Sequence, residues 1–144
     1  MNIKINKAFT LVELGLVVII VTVLATIALP RFTTALERGY EADAVNQLRS
    51  IHAAQRIYRS RAKTYWPNPA AGTQNVAAIN TNLGLSVIEN GFAITCTEGN
   101  TTFFCQAVRT TGGAYTVGVD ENSLGANNPC CEAGTCPTIT VACT

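Results

Sequence analysis

FTLVELGLVVIIVTVLATIALP, residues 9–30, sets the organisation of the whole chain. Its only charged side chain is Glu13, and residues 14–30 carry none. About 20 apolar residues in a helix span the hydrocarbon core of a bilayer. The segment therefore predicts a membrane-spanning helix near the N-terminus.

The composition of the chain excludes several classes of protein. It has 144 residues and a mass of 15.3 kDa, which suits one domain rather than two. It is 48% hydrophobic and only 13% charged, with a net charge of +1, whereas about a quarter of the residues in an ordinary soluble domain are charged. These values argue against intrinsic disorder, a free cytosolic enzyme and nucleic-acid binding driven by bulk charge.

Cysteines occur only in the last third of the chain. An even number on one side of a membrane segment indicates disulfides in an oxidising compartment. Zinc sites use paired Cys-x2-Cys knuckles or histidines, and neither pattern is present here. We therefore expect disulfides and neither a metal nor a cofactor. The six residues are Cys96, Cys105, Cys130, Cys131, Cys136 and Cys143.

Charge is distributed unevenly after the apolar segment. Residues 31–63 contain seven basic and three acidic side chains, a net charge of +4, and residues 64–144 contain one basic and five acidic side chains, a net charge of −4. Two interpretations stay open. The regions are either two solvated faces or complementary surfaces through which the chain associates with itself.

The first eight residues, MNIKINKA, do not form an ordinary secretory signal. Such a signal has its hydrophobic region before the cleavage site, whereas here that region follows Ala8. Cleavage between Ala8 and Phe9 would leave the membrane segment on the mature protein. The two lysines favour a cytoplasmic N-terminus, with the cysteine-rich end outside.

Glu13 is the exception inside the apolar segment. A carboxylate in a membrane span costs roughly 2.5–3.5 kcal/mol on insertion scales. Cleavage before Phe9 would create an ammonium group at the same depth, and a pair between neighbouring helices would set their axial register. The alternative is that Glu13 anchors the helix in the lipid headgroup region.

KAFTLVELGLVVIIVTVLATIALPRF, residues 7–32, resembles the N-terminal segment of type IV pilins and pseudopilins. The resemblance implies that a prepilin peptidase cuts between Ala8 and Phe9 and that Phe9 is N-methylated. It also implies that Glu13 recruits the next subunit through that subunit's free N-terminus, and that Pro30 lies where the family's helix bends. The family usually has glycine where this chain has Ala8.

The helical pattern continues beyond Pro30 and is expected to end near Lys63, because Tyr65–Pro69 does not suit a helix. Pro30 predicts a kink, either a simple one or a segment that melts locally in a stretched filament, and Thr22 and Thr26 are expected to bond the freed carbonyls. An apolar stripe with one polar member marks the packing face. It comprises Leu36, Tyr40, Ala44, Leu48, Ile51, Gln55 and Tyr58, with Arg38, Glu41, Arg49, Arg56 and Arg59 on other faces.

The remaining sequence predicts an α+β fold. A long N-terminal helix, its hydrophobic half protruding, packs on an antiparallel sheet of three to four strands with a disulfide-linked C-terminal loop. The predicted strands are Gly91–Thr95, Phe103–Arg109 and Ala114–Asp120, with Ile139–Cys143 as a candidate fourth and a short helical turn over Val76–Leu83. The divisions are a leader (1–8), a membrane or filament-core helix (9–30), an amphipathic helix (31–63), a connecting loop (64–90) and the sheet with its cysteine-rich region (91–144).

The order of the cysteines limits their pairing. Cys96 and Cys105 flank the first predicted hairpin and are placed to cross-link it. Adjacent cysteines rarely bond each other, so Cys130 and Cys131 are each expected to pair with Cys136 or Cys143. The sequence leaves the order open.

Catalysis is not expected. His52 has no nucleophile at a useful spacing and is interpreted as a polar residue on the helix face. Asp120 and Glu121 follow a strand and fit either a calcium ligand pair or, more simply, turn acids.

These features predict a structural subunit of a type IV pilus filament, held in the inner membrane before assembly and exposed on the cell surface afterwards. Its partners would be other copies of itself, the prepilin peptidase and the assembly machinery. The filament would serve adhesion, motility or DNA uptake, with a host surface or DNA as its target. One alternative is a pseudopilin of a type II secretion or competence system. Another is a membrane-anchored binding domain that never polymerises. DNA capture is less favoured, because the helix arginines are assigned to the shaft and no basic stripe is expected on the head.

Overall fold

Helix α1, Leu11–Ala62, is the longest element of the chain. The computed structural model describes residues 10–68, 72–122, 124–125 and 127–143, so the predicted leader and Phe9 lie outside the described residues. The chain divides into two compact units, Met1–Ala35 and Leu36–Thr144. The first contains the apolar part of α1. The second, called the head below, contains the rest of α1 and the sheet.

The C-terminus of α1 lies where the sequence predicts it. Lys63 adopts a left-handed backbone conformation with φ of 64°, and its N–H donates to the carbonyl oxygen of Arg59 at 2.9 Å. A residue in this conformation with such a bond is a common way to terminate a helix. Tyr65 and Trp66 then turn into the core of the head.

The predicted packing stripe of α1 is confirmed over its central part. Ala44, Leu48 and Ile51 are buried in the core of the head, whereas Leu36 at the start of the stripe is 44% exposed. Gln55 is fully buried and fits because both ends of its amide are bonded. Its Nε2 donates to the carbonyl oxygen of Trp66 at 2.7 Å, and its Oε1 accepts from the N–H of Trp66 at 3.0 Å. These two hydrogen bonds offset the cost of removing the amide from water.

Two polar residues of α1 lie in the interior, contrary to their predicted positions. Glu41 is fully buried, and its carboxylate accepts from the hydroxyl of Thr138 at 2.7 Å and the N–H of Ile139 at 3.2 Å. His52 is 2% exposed, and its Nε2 donates to the carbonyl oxygen of Asn122 at 2.8 Å. The prediction of surface positions was wrong because these side chains bond to segments 70 or more residues away in the sequence.

The predicted α+β class is confirmed, with a five-stranded sheet in place of three to four strands. Each strand pairs antiparallel with the next, in the order β1-β2-β3-β4-β5. The predicted short helix is also confirmed, with Asn75 as its N-cap and Gly84 as its left-handed C-cap. The elements after α1 are β1 (Gln74–Asn75), α2 (Val76–Leu83), β2 (Phe92–Gly99), β3 (Thr102–Arg109), β4 (Tyr115–Asp120) and β5 (Cys130–Gly134).

The candidate fourth strand at Ile139–Cys143 was wrong. The edge beside β4 is occupied by Cys130–Gly134, and the later segment forms only an isolated parallel bridge between Cys131 and Ala142. The strand at Cys130–Gly134 reads CCEAG and lacks the β-branched and aromatic residues that mark strands in a sequence. Its position follows from pairing with β4 and from two disulfides.

The structure contains three disulfides. Cys96 and Cys105 are cross-strand partners in β2 and β3, fully buried in the core. In the C-terminal region Cys130 is bonded to Cys143 and Cys131 to Cys136, which is one of the two orders that the sequence leaves open. Both bridges hold the segment after β5 against the sheet.

Arg109 at the end of β3 connects the sheet to α1. Its guanidinium forms two hydrogen bonds of 3.0 Å with the carboxylate of Glu37, and a third of 2.7 Å with the carbonyl oxygen of Gly91. It also lies 4.1 Å from the centre of the Tyr40 ring and 5.2 Å from that of Phe92. The arginine side chain is 3% exposed and that of Glu37 25%. A bidentate pair of this kind fixes orientation as well as supplying energy.

We expect the head to lose stability in acid through Glu37. Hydrogen bonds from Arg109 hold the pKa of this carboxyl below its usual value of 4.5. Because the folded pKa is the lower one, the contribution is present above about pH 4.5 and is lost as the pH falls through the folded value. Denaturant midpoints of the full chain in detergent, followed by the fluorescence of its single tryptophan between pH 7 and 3, measure the effect. Glu37→Gln should show a shallower loss, and parallel curves for the two proteins would contradict this assignment.

Candidate functional site

The apolar part of α1 exposes hydrophobic side chains around its whole circumference. Every large apolar side chain from Leu11 to Leu29 is at least 49% exposed. Among the described residues, this helix has the length and composition needed to cross a membrane. Since a helix that is apolar on all sides is normally covered by lipid or by other protein, this surface requires one or the other.

Thr10 and Glu13 form a capping box at the start of this helix. The N–H and hydroxyl of Thr10 donate to the Glu13 carboxylate at 3.0 and 2.9 Å, and the N–H of Glu13 donates to the Thr10 hydroxyl at 3.2 Å. The spacing Thr-x-x-Glu before an apolar run is the sequence signature of this motif. It was a signal for the role of Thr10 that our sequence analysis missed.

The capping box fixes the place of the carboxylate. Glu13 lies in the first turn of α1, where free backbone N–H groups and the helix dipole favour a negative charge. The only charge of the apolar segment therefore lies at the end of the helix nearest the predicted cleavage site. A cation brought to this end of the helix would meet a carboxylate already held in place.

The remaining polar side chains of the apolar part bond within the helix. The hydroxyl of Thr22 donates to the carbonyl oxygen of Ile19 at 2.8 Å, and that of Thr26 to Val23 at 2.7 Å. The carbonyl that would have paired with an N–H at position 30 belongs to Thr26 itself. The expected role of these hydroxyls in replacing the bond lost at Pro30 was therefore wrong. They satisfy their own hydrogen-bonding need in an apolar setting.

The other predicted assembly residues are less completely described. Ala8 and Phe9 lie outside the described residues, so cleavage and methylation stay predictions. Helix α1 continues through position 30, and the kink at Pro30 stays a prediction as well.

Asp120, at the end of β4, bonds within the turn that follows the strand. Asp120 accepts hydrogen bonds from the N–H of Asn122 at 3.0 Å and from the side-chain amides of Asn122 and Asn128 at 2.6 and 2.9 Å. Among the residues that the structure describes, no group of three or more His, Cys, Asp and Glu side chains could hold a metal ion. The calcium interpretation of Asp120 and Glu121 has no support in this arrangement, and Asp120 is a turn acid.

Basic side chains cluster on the head at the C-terminal end of α1. Arg56, Arg59 and Lys63 are exposed and line one groove. The sequence prediction assigned these helix arginines to the shaft, and the structure places them on the surface of the unit Leu36–Thr144. The helix ends inside the head, so its last arginines belong to the surface of the head.

Comparisons with known proteins point in one direction. The chain is 37% identical over 60 residues to the type IV major pilin protein PilA of Myxococcus xanthus (strain DK1622). The aligned region covers 42% of this chain and 27% of that protein. The matched region thus spans about a quarter of the relative's length. No protein-family model matches the chain, and no solved structure matches it. The partial match supports a pilin-like relationship, in agreement with the apolar helix and its single carboxylate.

Proposed function

We propose that this chain is a structural subunit of a type IV pilus filament. A prepilin peptidase removes residues 1–8, Phe9 becomes the methylated N-terminus, and the apolar helix moves from the inner membrane into a bundle of identical helices. The protein has a mechanical role and performs no catalytic step. Adhesion, motility or DNA uptake are the outputs of such a filament.

The observation that carries this proposal is the exposed apolar surface of α1 with one carboxylate in its first turn. Transfer of this surface from lipid to a bundle of like helices is nearly neutral in apolar burial. Specificity must then come from polar contacts, and Glu13 is the only charged side chain of the described residues before Arg31. Its pairing with the new ammonium group of a neighbouring Phe9 would set the axial step between subunits. At about 4 Å and an effective dielectric constant near 20, such a pair contributes on the order of 4 kcal/mol before desolvation.

Two other functions, a pseudopilin and a membrane-anchored binding domain, would use the apolar helix and its carboxylate differently. A pseudopilin would use the same helix in a short periplasmic structure, and the six cysteines of the distal third favour a pilin over it. A membrane-anchored binding domain needs neither a cleavable leader nor a carboxylate inside its span. The predicted leader and the single carboxylate at the start of the apolar helix therefore favour the pilus.

Fractionation of cells tests the proposal. We expect most of the processed chain in filaments sheared from the cell surface. A processed chain confined to the membrane and periplasm would favour the pseudopilin. An unprocessed chain in the membrane would favour the anchored domain.

A further inference from the structure

A basic groove lies at the C-terminal end of α1. It has a volume of about 430 Å³ and is lined by Arg56, Arg59, Ser60, Lys63 and Tyr65. Arg59 is held in place, because its Nη1 donates to the hydroxyl of Tyr65 at 2.8 Å. Within the described part of the chain, Arg56 has no carboxylate within ion-pair distance, and the ammonium group of Lys63 donates to the carbonyl oxygen of Ser60 at 3.4 Å.

The charge of this groove is not balanced by nearby sequence. From Ala44 to Ile88 the chain has five basic side chains and no acidic one. The carbonyl end of α1 lies at the same place and carries partial negative charge. This partial negative charge stabilises the basic side chains of the groove and does not attract a small anion. The groove therefore suits a partner that brings several carboxylates on a surface.

An acidic groove of similar size lies on the same head. It has a volume of about 410 Å³ and is lined by Asp120, Glu121 and Glu132 together with Thr102, Phe103, Phe104, Asn122 and Cys143. Glu132 is exposed and Glu121 half-buried. The sequence contains no lysine or arginine after Arg109, so this charge is also unbalanced locally.

We propose that the basic groove of one subunit binds the acidic groove of a second copy of this chain. The two grooves carry opposite charge, and three charged side chains line each of them. Because the two surfaces differ, a bound pair of subunits still offers one free groove of each kind, the acidic one on one subunit and the basic one on the other. Contacts of this head-to-tail type generate open helical assemblies when the rotation does not close. This inference rests on the proposed filament and specifies its head contacts.

Exposed ion pairs are individually weak, so the contact would select the neighbour and its orientation more than it would hold the filament together. The ionic term is screened by salt, with a Debye length of about 8 Å at physiological ionic strength. The contact is therefore expected to matter for how the heads are ordered, while α1 supplies the cohesion.

Lysine usage in this chain allows a direct test. Lysines occur only at positions 4, 7 and 63, so after removal of residues 1–8 the mature chain retains Lys63 alone. A zero-length carbodiimide joins an amine to a carboxylate that it touches. Applied to sheared filaments and to membranes, it should yield dimers whose cross-linked peptides join Lys63 to Glu121 or Glu132. Lys63→Arg keeps the charge and should remove these cross-links while filaments persist.

Charge reversal gives an independent readout. Arg56→Glu with Lys63→Glu should lower filament yield about tenfold by placing like charges opposite each other, and Glu121→Lys with Glu132→Lys should do the same. The two pairs combined in one chain should restore the yield, because complementarity is recovered. Arg49→Glu with Arg61→Glu changes the net charge equally outside both grooves and should leave the yield near wild type.

Each outcome separates this inference from the filament proposal. Wild-type filaments without Lys63 cross-links, unaffected by either reversal, would overturn the groove contact alone. Cross-linked dimers in membranes of cells that make no filament would support the contact and overturn the pilus. If the Arg56 and Lys63 reversal reduced DNA retention by filaments but left their yield unchanged, and wild-type filaments gave no Lys63 cross-link, the basic groove would be a DNA site and the proposed contact would be wrong.

Discussion

Glu13→Ala is expected to abolish surface filaments while the protein still enters the inner membrane. The substitution removes the only charge of the apolar segment, so the segment inserts at least as readily as the wild type. The neighbouring ammonium group then has no counter-charge, and nothing polar fixes the step between adjacent helices. Filament yield after shearing, with the membrane-bound chain measured beside it, checks the result. A normal yield of filaments would contradict the mechanism.

The capping box calls for a control that separates its two contributions. Glutamine at position 13 can keep the reciprocal hydrogen bond to Thr10, since Glu and Gln both serve at this position, but it carries no charge. Thr10→Ala removes the cap, at about 1 kcal/mol of helix stability, and keeps the carboxylate. We expect Glu13→Gln to lose filaments and Thr10→Ala to retain them. The reverse pattern would assign Glu13 to helix capping alone.

Arg109→Met should destabilise the head by about 3 kcal/mol. The substitution leaves the carboxylate of Glu37 without its cation in a site where the arginine side chain was 3% exposed. Breaking a buried pair from one side costs about 3–5 kcal/mol, and the 25% exposure of Glu37 places this case at the lower end. Trp66, which is 5% exposed, reports unfolding of the full chain in detergent.

The matched control for this substitution is Arg49→Met. Arg49 is exposed, and a surface change of this kind usually shifts stability by less than about 0.5 kcal/mol. Adding Glu37→Leu to Arg109→Met should recover part of the loss, because the unpaired charge disappears with it. Equal effects of the substitutions at positions 49 and 109 would show that the Arg109 cluster is not a major contact between sheet and helix.

Local signals in the sequence were sufficient for much of the fold. Periodicity and turn residues close in sequence predict three features of the fold: the end of α1 near Lys63, the short helix over Val76–Leu83, and the hairpin of β2 and β3. The stripe through Ala44, Leu48 and Ile51 follows from the same reasoning, because apolar residues three and four apart share one face of a helix.

Contacts between distant segments could not be predicted in this way. Glu41 is buried because Thr138 and Ile139 supply donors from the other end of the chain. The strand Cys130–Gly134 depends on β4 and on two disulfides rather than on its own propensity. Residues of this kind have no local signature, since their polar groups find partners only in the folded chain.

In the candidate site, too, some features could be predicted from the sequence and others required the fold. Glu13 stands out in sequence as a lone charge among apolar residues, and its bond to Thr10 follows from a spacing of three. The two grooves of the head join residues of α1 to Tyr65, and residues of β3 to those after β4. The charge imbalance between the halves of the chain was visible beforehand, but its concentration into two grooves, each lined by three charged side chains, required the fold.

The intact mass of the protein in sheared filaments, measured without reductant, tests the central claim most directly. We predict a chain that begins at Phe9, one methyl group heavier and six hydrogens lighter than its sequence mass, because the N-terminus is methylated and three disulfides are formed. A protein recovered only from membranes and still carrying residues 1–8 would contradict the filament account.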